Sequence, residues 1–327
     1  MRFFWDERQR RHVPSGEFFN GGMHPAAEHP GRIDAILSAI GKTEQPTDFG
    51  EEALLRVHSA EYVAFLKSAF DDWQSAGREG DAFPYAFPVV GRRQLDLCRI
   101  DARLGQFGFD TATPIGPGTW DAAYWSAQTA LAALQAVLGG ERSAFALCRP
   151  PGHHAGRDYF GGYSYLSNAA ICALAAEKRV AILDVDYQHG NGTQDIVAGH
   201  EDIVFASIHA DPATDYPYYW GHADESGGNI LNLPLPRGTE WQAYEPALSQ
   251  ALQWIGAAEP ELLIVSYGAD THEADPISHF KLTTEDYGRM ARRIAALGLP
   301  TLVVMEGGYA VEALGANVSA FLARLEG

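Results

Sequence analysis

The chain is predicted to be an α/β protein built on a central parallel sheet covered by helices on both faces. Three observations lead there. Short, nearly all-apolar runs alternate with longer segments of helical period; the runs lack the polar alternation of a half-exposed strand; and each run is followed within three residues by Gly, Pro, His or Asp. Strands buried on both faces belong to parallel sheets, and their alternation with helices implies βαβ units. The expected architecture is a three-layer arrangement, helices on either side of one sheet.

Taken in order, residues 1–31 and 82–118 are rich in Gly, Pro and aromatics, and segments of this kind shape sites and contacts. Residues 50–73 read as helical, with Leu55, Val63 and Leu66 among the apolar positions. Residues 121–138 carry Ala127, Ala130, Leu131, Leu134 and Leu138 on one stripe, stopped by Gly139-Gly140. The runs 143–148, 179–185, 203–208, 262–265 and 301–305 read as strands. Helices are expected at 166–178, from Pro246 through Ile255, at 283–297 and at 311–325. Thr283 is a natural cap for the third of these, with Asp286 three residues on.

Composition narrows the function. With 327 residues and 46% hydrophobic side chains, the chain can bury a full core and is not disordered. The 42 acidic and 24 basic residues leave a net charge of −18, which argues against nucleic acid and suits a cationic small substrate. Cys98, Cys148 and Cys172 form neither a disulfide scaffold nor a CxxC pair. No apolar stretch approaches the roughly 18 residues of a membrane span, and the N-terminus turns charged at once, so a cytoplasmic location is expected.

Ligands of such sheets bind beyond the carboxyl ends of the strands. Five strands place chemically able residues at that edge: His153 and His154; Asp184, Asp186 and Asn191; His209 and Asp211; Asp270; and Glu306-Gly307-Gly308-Tyr309. A lone strand-end Asp is usually a turn or cap, and a lone buried His is usually structural. Five coincidences at one edge point instead to catalysis, and the residue types suit metal-assisted hydrolysis. Asp186 and Asp270 can meet at one ion, paired histidines can move protons, and Tyr309, on a Gly-Gly hinge, can donate to an oxyanion. Asp184 and Asn191 are available to set the histidine tautomers. Serine-hydrolase, kinase and dehydrogenase motifs are missing.

Arg149-Pro150-Pro151-Gly152-His153-His154-Ala155, Asp184-Val185-Asp186, His189-Gly190-Asn191-Gly192-Thr193-Gln194, Gly268-Ala269-Asp270 and Glu306-Gly307-Gly308-Tyr309 resemble the zinc-dependent deacetylases on the arginase-like fold. Ser207-Ile208-His209-Ala210-Asp211-Pro212, Asp275-Pro276-Ile277-Ser278 and Phe280-Lys281-Leu282-Thr283 look like the acetylpolyamine amidohydrolase branch. The resemblance spans most of the chain and implies one deacetylase domain over residues 1–327. It also implies a homodimer whose N-terminal loops narrow the active-site entrance. By position it assigns Zn2+ to Asp186, residue 188 and Asp270, with His154 as general base and His153, paired with Asp184, as electrostatic partner. Tyr309 would polarise the acetyl carbonyl, Tyr163 would line the substrate tunnel, and Glu17 would meet a polyamine ammonium at the mouth. A structural K+ near Asp184, Asp186 and Ser207 is implied as well.

Two positions depart from the pattern. Residue 188, a histidine in the family, is Gln188, and a neutral amide is a poorer zinc donor than imidazole. His189 is next in sequence, but neighbouring side chains on extended backbone point to opposite sides. Where an acidic residue is expected before Gly105-Gln106-Phe107-Gly108 stand Arg103-Leu104, with Asp101 and Asp110 as the nearby candidates to compensate. The leading expectation is hydrolysis of acetylated amines, acetylpolyamines first. The alternatives are a broader acetyl-lysine or small-amide deacetylase, and a form impaired at Gln188, whether by engineering or by nature, that binds without turnover.

Overall fold

Alternation along the central strands divides their apolar side chains between two cores. The computed structural model of the chain describes residues 1–89 and 96–326, so positions 90–95 of the 82–118 segment lie outside the described residues. The strands are β1 (Arg2–Phe4), β2 (Glu17–Phe19), β3 (Gly22–His24), β4 (Ser143–Ala146), β5 (Val180–Asp184), β6 (Ile203–Ala210), β7 (Ile230–Leu235), β8 (Leu262–Tyr267) and β9 (Thr301–Met305). The helices are α1 (Gly31–Ile40), α2 (Glu52–Val57), α3 (Ala60–Ser75), α4 (Ile100–Phe107), α5 (Thr119–Leu138), α6 (Asn168–Ala175), α7 (Asn191–Val197), α8 (Trp241–Ala257), α9 (Thr284–Ala295) and α10 (Val311–Leu325).

A seven-stranded sheet runs β1-β4-β9-β8-β5-β6-β7 with every pairing parallel, and β2 and β3 form a separate antiparallel hairpin. Ala144, Ile182, Ile264 and Val304 join a core with Leu54, Phe65, Leu131 and Ile171, from α2, α3, α5 and α6. Their neighbours Phe145, Leu183, Val265 and Val303 join the opposite core with Ile36, Leu248, Met290 and Phe321, from α1, α8, α9 and α10. Each fully buried Leu, Ile or Phe contributes roughly 1.5–3 kcal/mol by leaving water, so both faces must be covered. The three-layer architecture expected from the sequence is the observed one.

The five strands read from the sequence are the inner five of the sheet. The edge strands escaped notice. β1 is three residues long, and β7 carries Pro234, which an edge strand tolerates because one side of its backbone has no partner. The hairpin turns at Asn20-Gly21, both with positive φ (49° and 80°), a pair that favours such turns. Residues 50–73 are two helices, because the chain leaves the first at His58 and Ser59 caps the second through a 3.2 Å bond from the Tyr62 N–H. α8 begins five residues before Pro246 and holds that proline within it. The Thr283–Asp286 capping box is present as expected.

Candidate active site

Each inner strand stops at the same edge and hands the chain to a loop whose side chains turn inward over the sheet. Beyond β4, His153 places its Nδ1 3.0 Å from Asp184 Oδ2, at the end of β5, and its Nε2 3.7 Å from Asp186 Oδ1. His154 stacks beside it with ring centres 4.0 Å apart, and its Nδ1 is 2.6 Å from Asn191 Oδ1. Both imidazoles are buried, but their charges diverge. Burial opposes a charge on His153, yet Asp186, Asp184 and Glu306 outweigh it and raise its pKa to about 10. Burial holds His154 well below the ordinary value, and the charge on His153 depresses it further. Two titratable neighbours driven apart in this way are suited to separate roles in proton transfer.

Asp186 and Asp270 converge. A Cβ on Gly307 would collide with Asp270 Oδ2 and stand 2.7 Å from Asp186 Oδ2, so the two carboxylates crowd one point that only glycine leaves clear. The Gly-Gly read as a hinge is therefore a packing requirement. Asp186 accepts from the N–H groups of Gln188 (2.9 Å) and Gly307 (2.8 Å), and Asp270 Oδ1 accepts from the Tyr187 N–H at 2.9 Å. Asp270 Oδ2 is buried without a hydrogen-bond partner, and burial together with the Asp186 carboxylate pushes Asp270 well above the usual range.

The site opens into a cavity of about 330 Å³ whose walls include His154, Gln188, Tyr163, Tyr216, Ile277 and Tyr309. Tyr163 meets Tyr309 edge to face at 5.6 Å. Glu17 and Asp110 are the acidic residues of the wall, which among the described residues holds no Lys or Arg. Glu17 is buried rather than at an open rim, and among the described residues its Oε2 has no partner. Burial raises its pKa, while the Tyr163 hydroxyl and the Ala27 N–H restrain the rise. Of the two candidates to replace the acid missing before Gly105, Asp110 lines the cavity, and Asp101 is paired to Arg78 and Arg99 outside it.

His209 lies within β6, not after it, bonded to Ser207 Oγ and the Gly221 carbonyl at 2.8 Å each. His189 turns toward Gln194 and Asn232, 3.0 and 3.1 Å from its Nε2, and away from the cavity. It does not stand in for residue 188. Sequence reasoning missed the supports behind Tyr309. Asp275 Oδ2 accepts from the backbone N–H of Tyr309 at 2.7 Å, and Glu306 Oε2 accepts from those of Gly152 (2.7 Å) and His153 (3.1 Å). Both residues stood in the quoted motifs, but only the folded chain shows what they hold.

Comparison with known proteins settles the family. The histone deacetylase domain model matches residues 24–325. The chain belongs to the histone deacetylase family. Members of the family are typically metal-dependent deacetylases and amidohydrolases. This member is 47% identical to acetylpolyamine amidohydrolase 1 of Pseudomonas aeruginosa, over 100% of this chain and 99% of the relative. It is 42% identical to the acetylpolyamine amidohydrolase of Mycoplana ramosa over the full length of both. The crystal structure of acetylpolyamine aminohydrolase from Burkholderia pseudomallei superposes with a TM-score of 0.94 at 37% identity, covering 99% of this chain and 98% of that one.

The residues present do not fit a zinc ion held by two carboxylates and an imidazole. The unpartnered Asp270 oxygen asks for a cation, but among the described residues no three His, Cys, Asp or Glu side chains are placed to hold one. For the implied K+, Asp184 lies opposite Ser207 and Ser266 on the flanking strands, and the Ser266 hydroxyl is unpartnered. Oxygen donors of this kind fit a hard cation.

Proposed function

We propose that the chain hydrolyses the acetyl amide of acetylated amines, acetylpolyamines first. The observation that carries this reading is the neutral–charged histidine pair, whose His154 lines a cavity with Tyr309, and a wall that among the described residues presents Glu17 and Asp110 and no basic side chain. The acetyl group reaches the floor, the alkyl stem lies between Tyr163 and Tyr216, and an ammonium further along meets Glu17.

The Nδ1 of His154 donates to Asn191, a tautomer assigned from the network, which leaves Nε2 as its basic nitrogen. That nitrogen takes the proton of the attacking water and later returns it to the departing amine, an acid–base contribution of about 10²–10⁴-fold. His153, held by Asp184, keeps positive charge beside the developing oxyanion, and the Tyr309 hydroxyl donates to it. With Gln188 in place of an imidazole, the donor set for zinc is incomplete.

The reading takes residues 1–327 as one domain in a cytoplasmic homodimer, with 1–31 and 82–118 shaping the entrance and the dimer contact. Glu17, Phe18, Asp110 and Thr111 from these segments line the cavity, and the hairpin exposes Phe18, Phe19 and Met23 beside it. The implied K+ near Asp184, Asp186 and Ser207 belongs to the same proposal.

Acetate release from N-acetylputrescine, N-acetylspermidine and an acetyl-lysine peptide, compared side by side, tests the substrate. Preference for the first two supports the proposal. Faster cleavage of the peptide assigns the broader deacetylase. Gln188 favours a second reading, a pocket that binds acetylated amines without cleaving them, and saturable binding without acetate release would establish it.

A further inference from the structure

We infer that Gln188 turns the deacetylase metal position into an all-oxygen site for a hard divalent cation of the Mn2+ class, with selectivity for zinc lost. The inference rests on the hydrolase reading only for the location of the site, and binding can be measured without turnover.

Gln188 follows Asp186 by two residues across a bend of the chain, and it lines the cavity. Its backbone is pinned by the N–H bond to Asp186 Oδ1. Among the described residues its side-chain amide makes no hydrogen bond, and Asp270 Oδ2, fully buried, makes none either. Two carboxylates that meet at Gly307, and a cavity-lining amide whose backbone is tied to one of them, thus keep acceptor capacity unspent.

Apart from His154 Nε2, the proton acceptor of the proposed reaction, the nearby imidazoles are turned or tied elsewhere. His189 faces Gln194 and Asn232, His153 is held by Asp184, and His154 Nδ1 is taken by Asn191. Zinc favours a small tetrahedral set with imidazole or thiolate, whereas carboxylate, carbonyl and water oxygens suit Mn2+, Mg2+ and Ca2+ at higher coordination number. The change at one position therefore removes the imidazole that favours zinc and narrows its advantage over oxygen-preferring cations.

The test uses the full chain stripped with chelator, then dialysed to equilibrium against MnCl2 or ZnCl2 with elemental analysis, and with the Mn2+ electron paramagnetic resonance signal as a second readout. Wild type, Gln188→His and Asp270→Asn are compared, with circular dichroism confirming that each is folded. Wild type is expected to hold one Mn2+ saturably, and Asp270→Asn to lose it. Gln188→His is expected to gain at least about tenfold in Zn2+ affinity while its Mn2+ affinity stays within about threefold. Wild type that holds zinc as tightly as Gln188→His, an equal gain for both ions, or no saturable Mn2+ would overturn the inference. Acetate release from the same samples separates the two proposals. Selective binding without turnover in any loaded protein leaves this inference standing and sinks the hydrolase reading, whereas turnover by zinc-tight wild type does the reverse.

Discussion

The Arg32 guanidinium lies 4.8 Å from the centre of the Tyr309 ring, while its Nε donates to the Gly308 carbonyl (2.7 Å) and its Nη2 to that of Glu306 (2.5 Å). Its Nη1 donates to Glu28 Oε1 at 3.0 Å, an oxygen that also accepts from Arg149 Nε at 2.7 Å. All three charges are buried. The loop that presents Tyr309 therefore hangs on a cation from α1, far away in sequence. Burial pushes the Tyr309 hydroxyl well above its ordinary pKa, and Arg32 pulls it back.

Removing one member of a buried ionic network strands the others. Arg32→Met is expected to destabilise the fold by about 3–5 kcal/mol, because Glu28 loses a partner and two carbonyls lose their donor. Urea denaturation checks the magnitude. Residual folded protein should show a lower kcat with KM little changed, since it is the Tyr309 loop that loosens.

Gly307→Ala tests how tightly the carboxylates are packed. The added methyl meets Asp270 Oδ2 and Asp186 Oδ2. Loss of acetate release with a folded circular dichroism spectrum is expected. Activity within threefold of wild type would show that the carboxylates have room to separate (about 0.7 kcal/mol covers that much).

Much of this was legible beforehand because it depends on local pattern. The five inner strands announce themselves by continuous apolar runs, the α9 cap by Thr283 and Asp286, and the clustering of His, Asp and Tyr over one sheet edge by their places at successive strand ends. What the sequence concealed depends on contacts between distant segments. Arg32 sits in an ordinary amphipathic helix, and nothing local ties it to residues 306–309. β7 hid behind Pro234, harmless only because the strand is an edge. The interruption at His58-Ser59 escaped because Leu54, Val57, Val63 and Leu66 keep an apolar rhythm across it.

Glu17→Gln addresses substrate charge. KM for N-acetylputrescine should rise roughly tenfold or more, with kcat nearly constant, and a neutral N-acetylalkylamine should be unaffected. The raised pKa of Glu17 gives the sign of the pH effect. The carboxylate gains its proton at a pH above that of an ordinary glutamate, so KM for the cation should climb as pH falls in wild type and stay flat in the variant.

His58 provides a pH test of stability outside the site. Its Nδ1 donates to the Gly156 carbonyl (2.8 Å) and its Nε2 accepts from the Ser167 N–H (3.0 Å), so the fold requires the neutral ring. Burial lowers its pKa to about 4. Between the ordinary value and that one, only the unfolded chain binds the proton, so the stability contributed by this group is present above about pH 6.5 and lost as pH falls. From pH 7 to pH 5 wild type should lose about 2 kcal/mol more than His58→Gln, measured by urea denaturation at both values.

The account rests on the two carboxylates, the paired histidines and Tyr309 acting together on an acetyl amide. The most direct measurement is acetate release from N-acetylputrescine by zinc-loaded Gln188→His against wild type, with Tyr309→Phe added to the variant. A gain of at least about tenfold on restoring the imidazole, and a loss of about 10²–10³ on removing the hydroxyl, are the predicted results. Restored protein that carries zinc and releases no acetate from any acetylated amine would contradict the account.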